Sequence, residues 1–228
     1  ASGFDKNLSA VDDVTGSTYF GRAYTVWTNF GGTFFNRIVI SFTTDGGTTW
    51  STAAPVSPPQ SPGHHHQGCD VRVGPGGVVH VVWANCTTNG QNSTEDSLGY
   101  ARSTDGGVTW VFASNHVADM NGIRTSNLVN GIRCNGFPRL DIDKTGGPRN
   151  GWLYVVAAEK NFAPALDNSD VVLMRSTNNG ATWTRTRVNQ DPSGKLNYMP
   201  AVRVDDCGGV NVVYYDQRNV TSTQAEVY

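Results

Sequence analysis

Three stretches of eight residues read almost alike: TTDGGTTW (Thr43–Trp50), STDGGVTW (Ser103–Trp110) and STNNGATW (Ser176–Trp183). Their common pattern is Ser/Thr-x-Asp/Asn-x-Gly-x-Thr-Trp, and the third positions, Asp45, Asp105 and Asn178, lie 60 and 73 residues apart. Self-similarity at such a period signals tandem supersecondary units, so it governs the reading of the whole fold. An Asp or Asn in a tight turn accepts hydrogen bonds from backbone N–H groups that no strand ladder satisfies. Gly47, Gly107 and Gly180 suit a turn position with positive φ, and Trp50, Trp110 and Trp183 are expected to lie over the hairpin and fill the wedge between strands. Asn178 can accept the same bonds but carries no charge and cannot act as a base. The octet therefore reads as structural, and its single carboxylate is too few for calcium.

Between the octets a second unit recurs: an alternating strand, a Gly/Asp turn, then an apolar strand. It runs from Leu8 (LSAVDDVTGSTYFGRAYTVW), Cys69 (CDVRVGPGGVVHVVW), Pro138 (PRLDIDKTGGPRNGWLYVVAA) and Pro200 (PAVRVDDCGGVNVVYY). A third strand leads into each octet, from Arg37 (RIVISF), Leu98 (LGYARS) and Asp170 (DVVLMRS). The first strands have the period of a half-buried strand, and the second read as buried on both faces. Four antiparallel strands in tandem are the blade of a β-propeller.

The expected fold is thus all-β, a single propeller region over 1–228 with about three and a half blades. Blade 1 covers about 5–60, blade 2 about 64–120, blade 3 about 131–190, and a half blade about 195–228. The final TQAEVY (Thr223–Tyr228) reads as the start of one more third strand. Three and a half blades leave sheet faces uncovered, so further blades or other subunits, a homo-oligomer among them, are expected to cover them.

Composition agrees. The chain has 26 glycines and 10 prolines but only three glutamates and four lysines, residues that a helical protein uses freely on its surface. A net charge of −2 and thirteen scattered arginines argue against a nucleic-acid partner. No apolar run has membrane-spanning length, and nothing calls for a cofactor.

The octets resemble the Asp-box, or BNR repeat, of the sialidase-like β-propellers, and the resemblance extends to the segments from Pro138 and Met199. It implies a secreted or cell-surface location and a glycan or polysaccharide partner. Such propellers include sialidases, other glycosidases, lectin-like modules and non-catalytic scaffolds, so the box speaks for fold more than for activity. It also implies that ligands meet the face opposite the octets. There a sialidase would need arginines to grip a carboxylate, a proton donor, and a tyrosine nucleophile activated by glutamate.

Candidates on that face are Arg133, Arg124 and Arg218 as clamps, Asp5 as acid, and Tyr198 or Tyr215 with Glu159 as the nucleophilic pair. The Phe/Tyr-Arg-Ile-Pro motif of sialidases has no match here, which favours a non-catalytic segment used for glycan recognition or cell-surface assembly. The alternative is part of an exo-sialidase-like glycoside hydrolase whose other blades are absent. Further ligand candidates are His64 and His66 from the run HHH (His64–His66) and Asp216, with the tryptophans Trp27 and Trp83 that close apolar strands, which either stack on a sugar ring or, the reading preferred, cap the buried core. No metal site is assigned, since successive residues of an extended run face opposite ways and only Asp70 lies near as an acidic ligand. Cys69 and Cys86 bracket one hairpin and are expected to form a disulfide.

Overall fold

A computed structural model describes residues 3–87, 93–124, 132–166, 168–220 and 225–228. Its strands form four antiparallel meanders. Blade 1 contains β1 (Phe4–Val11), β2 (Ala23–Asn29), β3 (Arg37–Thr43) and β4 (Ala54–Pro55). Blade 2 contains β5 (His65–Gly74), β6 (Val78–Cys86), β7 (Ser97–Ser103) and β8 (Phe112–Asp119). Blade 3 contains β9 (Arg139–Ile142), β10 (Leu153–Glu159), β11 (Asp170–Ser176) and β12 (Thr184–Arg187). Blade 4 contains β13 (Asn197–Val204), β14 (Val210–Asp216) and β15 (Glu226–Val227), so the terminal TQAEVY does enter a third strand. The innermost strands pack in succession, β1 on β5, β5 on β9 and β9 on β13, which makes the arrangement a four-blade β-propeller.

The core lies between blades. Tyr24, Val26 and Ile40 of blade 1 meet Val71, Val81 and Trp83 of blade 2 in one cluster. Leu98 and Tyr100 meet Leu153 and Met174 in the next, and Tyr154 and Val156 meet Val202 in the last. Position in this stack decides burial. β10 is buried along its whole length and β6 after its first residue. By contrast β14, equally apolar in sequence, is buried on alternate residues, and its Val213 and Tyr215 remain 45% and 42% exposed.

Innermost strands of neighbouring blades share no ladder, so their edge N–H groups need other acceptors. Aspartates of the preceding blade provide them. Asp70 Oδ2 accepts from the Leu140 N–H at 3.0 Å, and Asp141 Oδ2 from the Val204 N–H at 2.7 Å.

The octet turns are built as the sequence predicts. Asp45 Oδ1 accepts from the Thr43 hydroxyl (2.7 Å) and the Thr49 N–H (2.9 Å), and its Oδ2 from the Thr49 hydroxyl (2.6 Å). Asp105 repeats these bonds with Ser103 and Thr109 at 2.7, 2.8 and 2.5 Å. Hydrogen bonds from Thr49 and Thr43 hold the Asp45 carboxyl down to about 2. Desolvation raises that of Asp105, but bonds from Thr109 and Ser103 outweigh it and bring it down to about 2 as well. Asn178 Oδ1 accepts from the Ser176 hydroxyl (3.1 Å) and the Thr182 N–H (2.9 Å), while its Nδ2 donates to the Thr182 hydroxyl at 2.8 Å. The amide keeps the turn by reversing one donor–acceptor pair.

Two expectations are corrected. Trp110 and Trp183 pack partly buried against the interblade clusters, but Trp50 is 48% exposed, because among the described residues no blade packs against the octet that carries it. Nor is there a Cys69–Cys86 bridge: all four cysteines are free. Cys86 stands opposite His65, and Cys69 lies beyond a bulge four residues further along β5. That offset is on the order of 10 Å, well outside the Cα separation a disulfide spans. Thiol titration should therefore find one accessible thiol in the native protein, Cys207, and all four after denaturation; two missing thiols would restore the bridge.

A second prediction concerns the octet glycines. Gly47 (φ 93°) has open space where a Cβ would stand, whereas a Cβ on Gly180 (φ 82°) would enter the Tyr100 ring. Gly47→Ala should cost about 1–2 kcal/mol for backbone strain, and Gly180→Ala about 1–3 kcal/mol more for overpacking. Urea unfolding of the two variants measures the difference.

Candidate functional site

At the channel end opposite the octets, three innermost strands carry the same irregularity. Register shifts fall between Asp5 and Leu8, Gln67 and Asp70, and Tyr198 and Ala201. Each contains a residue of positive φ: Lys6 (56°), Gly68 (68°) and Met199 (51°). A bulge bends its strand and re-aims the side chains beside it. β9 starts later, and the segment before it brings Phe137 over Gly68, where a Cβ would strike the ring.

The bulges bring together residues far apart in sequence. Gln67 Nε2 donates to Asp5 Oδ2, and Arg124 Nη1 donates to Gln67 Oε1. Arg124 Nη1 also stands 3.3 Å from His65 Nε2. Arginine can only donate, so Nε2 is the acceptor in this contact. The Phe30 ring tilts on His65 at 5.9 Å, and the Arg124 guanidinium lies 5.8 Å from the Phe137 centroid. Gln67 and His65 are buried, while the Asp5 side chain keeps 38% of its surface in solvent. The result is a wet-edged mouth with a carboxylate, a guanidinium, an amide and an imidazole in one chain of hydrogen bonds.

The remaining candidates disperse. His66 is fully buried, with Nδ1 2.7 Å from Ser57 Oγ; burial first, then the Arg37 charge, holds its imidazole down to about 3. Trp83 is fully buried beneath His66 at 5.5 Å. His66 cannot touch a ligand, which corrects that expectation, while Trp83 packs in the core, in line with the preferred reading. Trp27 is half-buried under Phe4, edge to face at 6.0 Å. His64 is half-buried, its carbonyl accepting from Asn36 Nδ2 at 3.0 Å. Arg133 is exposed and makes no ion pair among the described residues. Arg218 is committed: its Nε and Nη2 grip Asp216 Oδ2 at 2.7 and 2.6 Å, and its guanidinium lies 3.9 Å from the Tyr228 centroid. Asp216 is accordingly a structural partner rather than a free ligand group.

Tyr198 and Glu159 do not pair. Glu159 is fully buried, its Oε2 accepting from the Asn121 N–H (2.9 Å) and from Arg185, while its Oε1 has no hydrogen-bond partner among the described residues. Tyr198 stacks on Tyr215 at 5.6 Å and 12°, and packs with Ile123, Cys134 and Ala158. Burial pushes the Tyr198 phenol up, the opposite of what a nucleophile requires. Among the described residues no group of three or more His, Cys, Asp or Glu is arranged around a metal position.

Sequence reasoning passed over Glu95. It is fully buried, and its two carboxylate oxygens accept from the N–H groups of Gly136 (3.0 Å) and Arg124 (3.2 Å). The signal it offered was rarity: a glutamate in a loop of Asn, Ser and Thr, in a chain with three glutamates. A cavity of about 490 Å³ at the octet end of the channel, between Asp13, Arg72, Asp141, Lys144 and Arg203, lies away from this cluster. Its charges are largely paired internally, Lys144 with Asp13 at 2.7 Å and Arg72 with Asp141 at 3.7 Å.

No protein-family model and no curated protein sequence matches the chain. Solved structures do share the fold. A Penicillium chrysogenum α-L-arabinanase complexed with arabinobiose superimposes with a TM-score of 0.62 and 17% identity, over 98% of this chain and 62% of that one. A Dyadobacter fermentans protein of unknown function gives 0.59 and 14%, over 94% and 62%. A leech intramolecular trans-sialidase gives 0.56 and 12%, over 97% and 31%. The chain therefore spans less than two thirds of each. At these identities the likeness is one of fold.

Proposed function

We propose that the chain is a secreted or cell-surface, sialidase-like Asp-box propeller that recognises glycans at the channel mouth and does not hydrolyse them with the residues described. The observation that carries this reading is the Asp5–Gln67–Arg124–His65 chain at the end of the channel opposite the octets. A sugar hydroxyl both donates and accepts, so it suits a row in which a carboxylate accepts, a guanidinium donates and an amide does both. The cluster is also held in place by its own bonds, which lowers the ordering cost of binding.

The absence of turnover rests on how the candidate catalytic groups are used. Glycoside hydrolysis needs a proton donor and a nucleophile or base on either side of one bond. Here the Glu159 carboxylate is sealed against Arg185, the Tyr198 phenol is stacked and its titration raised, and Arg218 is bound to Asp216. The second reading is a glycoside hydrolase whose remaining blades lie outside this sequence. It is favoured by one observation: the chain spans 62% of the arabinanase chain, which leaves room for catalytic groups elsewhere. Further Asp-box blades, or another subunit, would cover the outer face of blade 4.

Calorimetry with arabinobiose as a neutral probe and 3′-sialyllactose as an acidic one, beside a panel of aryl glycosides, tests the reading. Binding of either probe without turnover is expected, with Arg124→Ala lowering affinity about tenfold, roughly 1.4 kcal/mol. Turnover by this chain would put the glycosidase first, and binding indifferent to Arg124→Ala would remove the proposed mouth.

A further inference from the structure

We propose that Glu95 is a positioning residue for the glycan site, a carboxylate clamp that sets the backbone of Arg124 and the segment beneath its guanidinium. The role in binding rests on the proposed function; the clamp itself does not.

Two of the three glutamates in the chain are fully buried, and both end on the connection between β8 and β9. Glu159 holds the first turn of that connection through the Asn121 N–H at 2.9 Å. Glu95 holds it further along at two points, Oε2 taking the Arg124 N–H (3.2 Å) and Oε1 the Gly136 N–H (3.0 Å), while its carbonyl accepts from the Gly122 N–H at 2.9 Å. The two N–H donors reach different oxygens of the Glu95 side chain. A carboxylate supplies both, whereas a glutamine would turn its NH₂ toward one of the donors.

The surroundings are shaped for this group. A Cβ on Gly122 would collide with the Glu95 carboxylate, and a Cβ on Gly136 would come within 2.5 Å of the Ala158 carbonyl oxygen. Burying a carboxylate costs several kcal/mol unless hydrogen bonds compensate it, and here both oxygens are answered by backbone N–H groups. What the clamp grips is specific. Arg124 carries the guanidinium that reaches Gln67 and His65. Gly136 precedes Phe137, whose ring lies under that guanidinium. Both halves of the arginine's seat are thus fixed by one side chain from the loop before β7.

Burial pushes the Glu95 carboxyl up, against the bonds it accepts and the Arg124 charge. Of the other titratable groups, Cys86 at the end of β6 feels the Glu95 charge, and the neighbouring Asp96 turns its carboxylate to Thr87 and Thr94. As pH falls through that raised value, Glu95 gains a proton and loses an acceptor while ordinary carboxylates remain ionised.

Two experiments on the full chain test the proposal. In the first, hydrogen exchange of the wild type is followed from pH 7 downward. The Arg124 and Gly136 amides should lose protection together, above the ordinary carboxylate range near 4, with β6 and β7 still protected. Independent loss at the two amides, or loss only with global unfolding, overturns the clamp whether or not any glycan binds. The second is a double-mutant cycle with arabinobiose or 3′-sialyllactose. Glu95→Gln should weaken binding about tenfold in the wild type and add nothing in an Arg124→Ala background. An undiminished loss in that background makes Glu95 merely structural. If neither probe binds the wild type, the functional reading fails and the exchange experiment alone judges the clamp.

Discussion

The octet turns of blades 2 and 3 each rest on an aromatic side chain of the blade before, and the stacking of the blades depends on that contact. Gly107 approaches Tyr24, with room for a Cβ only at 3.3 Å. Gly180 and Trp183 close over Tyr100, the indole edge to face with the phenol at 5.8 Å. Behind the ring, the Tyr100 hydroxyl lies 2.8 Å from His80 Nδ1; burial first, then the Arg102 charge, holds that imidazole down to about 3 and keeps it neutral. A sheet with one apolar face needs one partner, while a blade needs two. Blades 2 and 3 have both, so β6 and β10 are buried almost throughout. Blades 1 and 4 have one each, and the same kind of strand sequence leaves Val213 and Tyr215 in water.

This explains what could be read from the sequence. The octet is a local object, with donors and acceptors within seven residues of one another, so its chemistry was legible down to the substitution of Asn178 for aspartate. Strand order was legible for a similar reason, since hairpin partners lie close in sequence. What escaped depends on neighbours distant in the chain. The bulge at Met199 puts a non-glycine residue at φ 51°, and no turn residue announces it. The burial of His66 depends on Ser57 and on the seating of blade 1 against blade 2. The expected Cys69–Cys86 bridge failed because the extra bulge residue and the ladder offset are features of pairing register, which composition does not encode.

Carboxylates acting on backbone N–H groups recur wherever chain segments meet without a shared ladder. Asp70 takes the Leu140 N–H and Asp141 the Val204 N–H. Glu95 takes two in the connection between blades 2 and 3, and Glu159 takes a third. An unpaired buried N–H costs about as much as a lost hydrogen bond, so each acidic group removes a penalty that stacked meanders create by construction. An acidic residue pointing toward the channel is therefore not evidence of catalysis here until this duty is discounted. Asp5, bonded to a glutamine side chain and open to solvent over 38% of its side chain, has no such duty.

The two ends of the channel consequently differ in what they can do. At the octet end, the octet aspartates are answered within the turns that carry them, and around the cavity Lys144 pairs with Asp13 and Arg72 with Asp141. Recruiting those groups for a ligand would break a turn or an ion pair. At the other end the bonds run between blades, from Asp5 through Gln67 to Arg124, and each partner comes from a different connection or strand start. Such a row can exchange one partner for a sugar hydroxyl without unfolding any blade, because no ladder hydrogen bond depends on it. The proposed glycan site sits at the mouth for a physical reason: there the fold has satisfied its polar groups with side chains rather than with its own backbone.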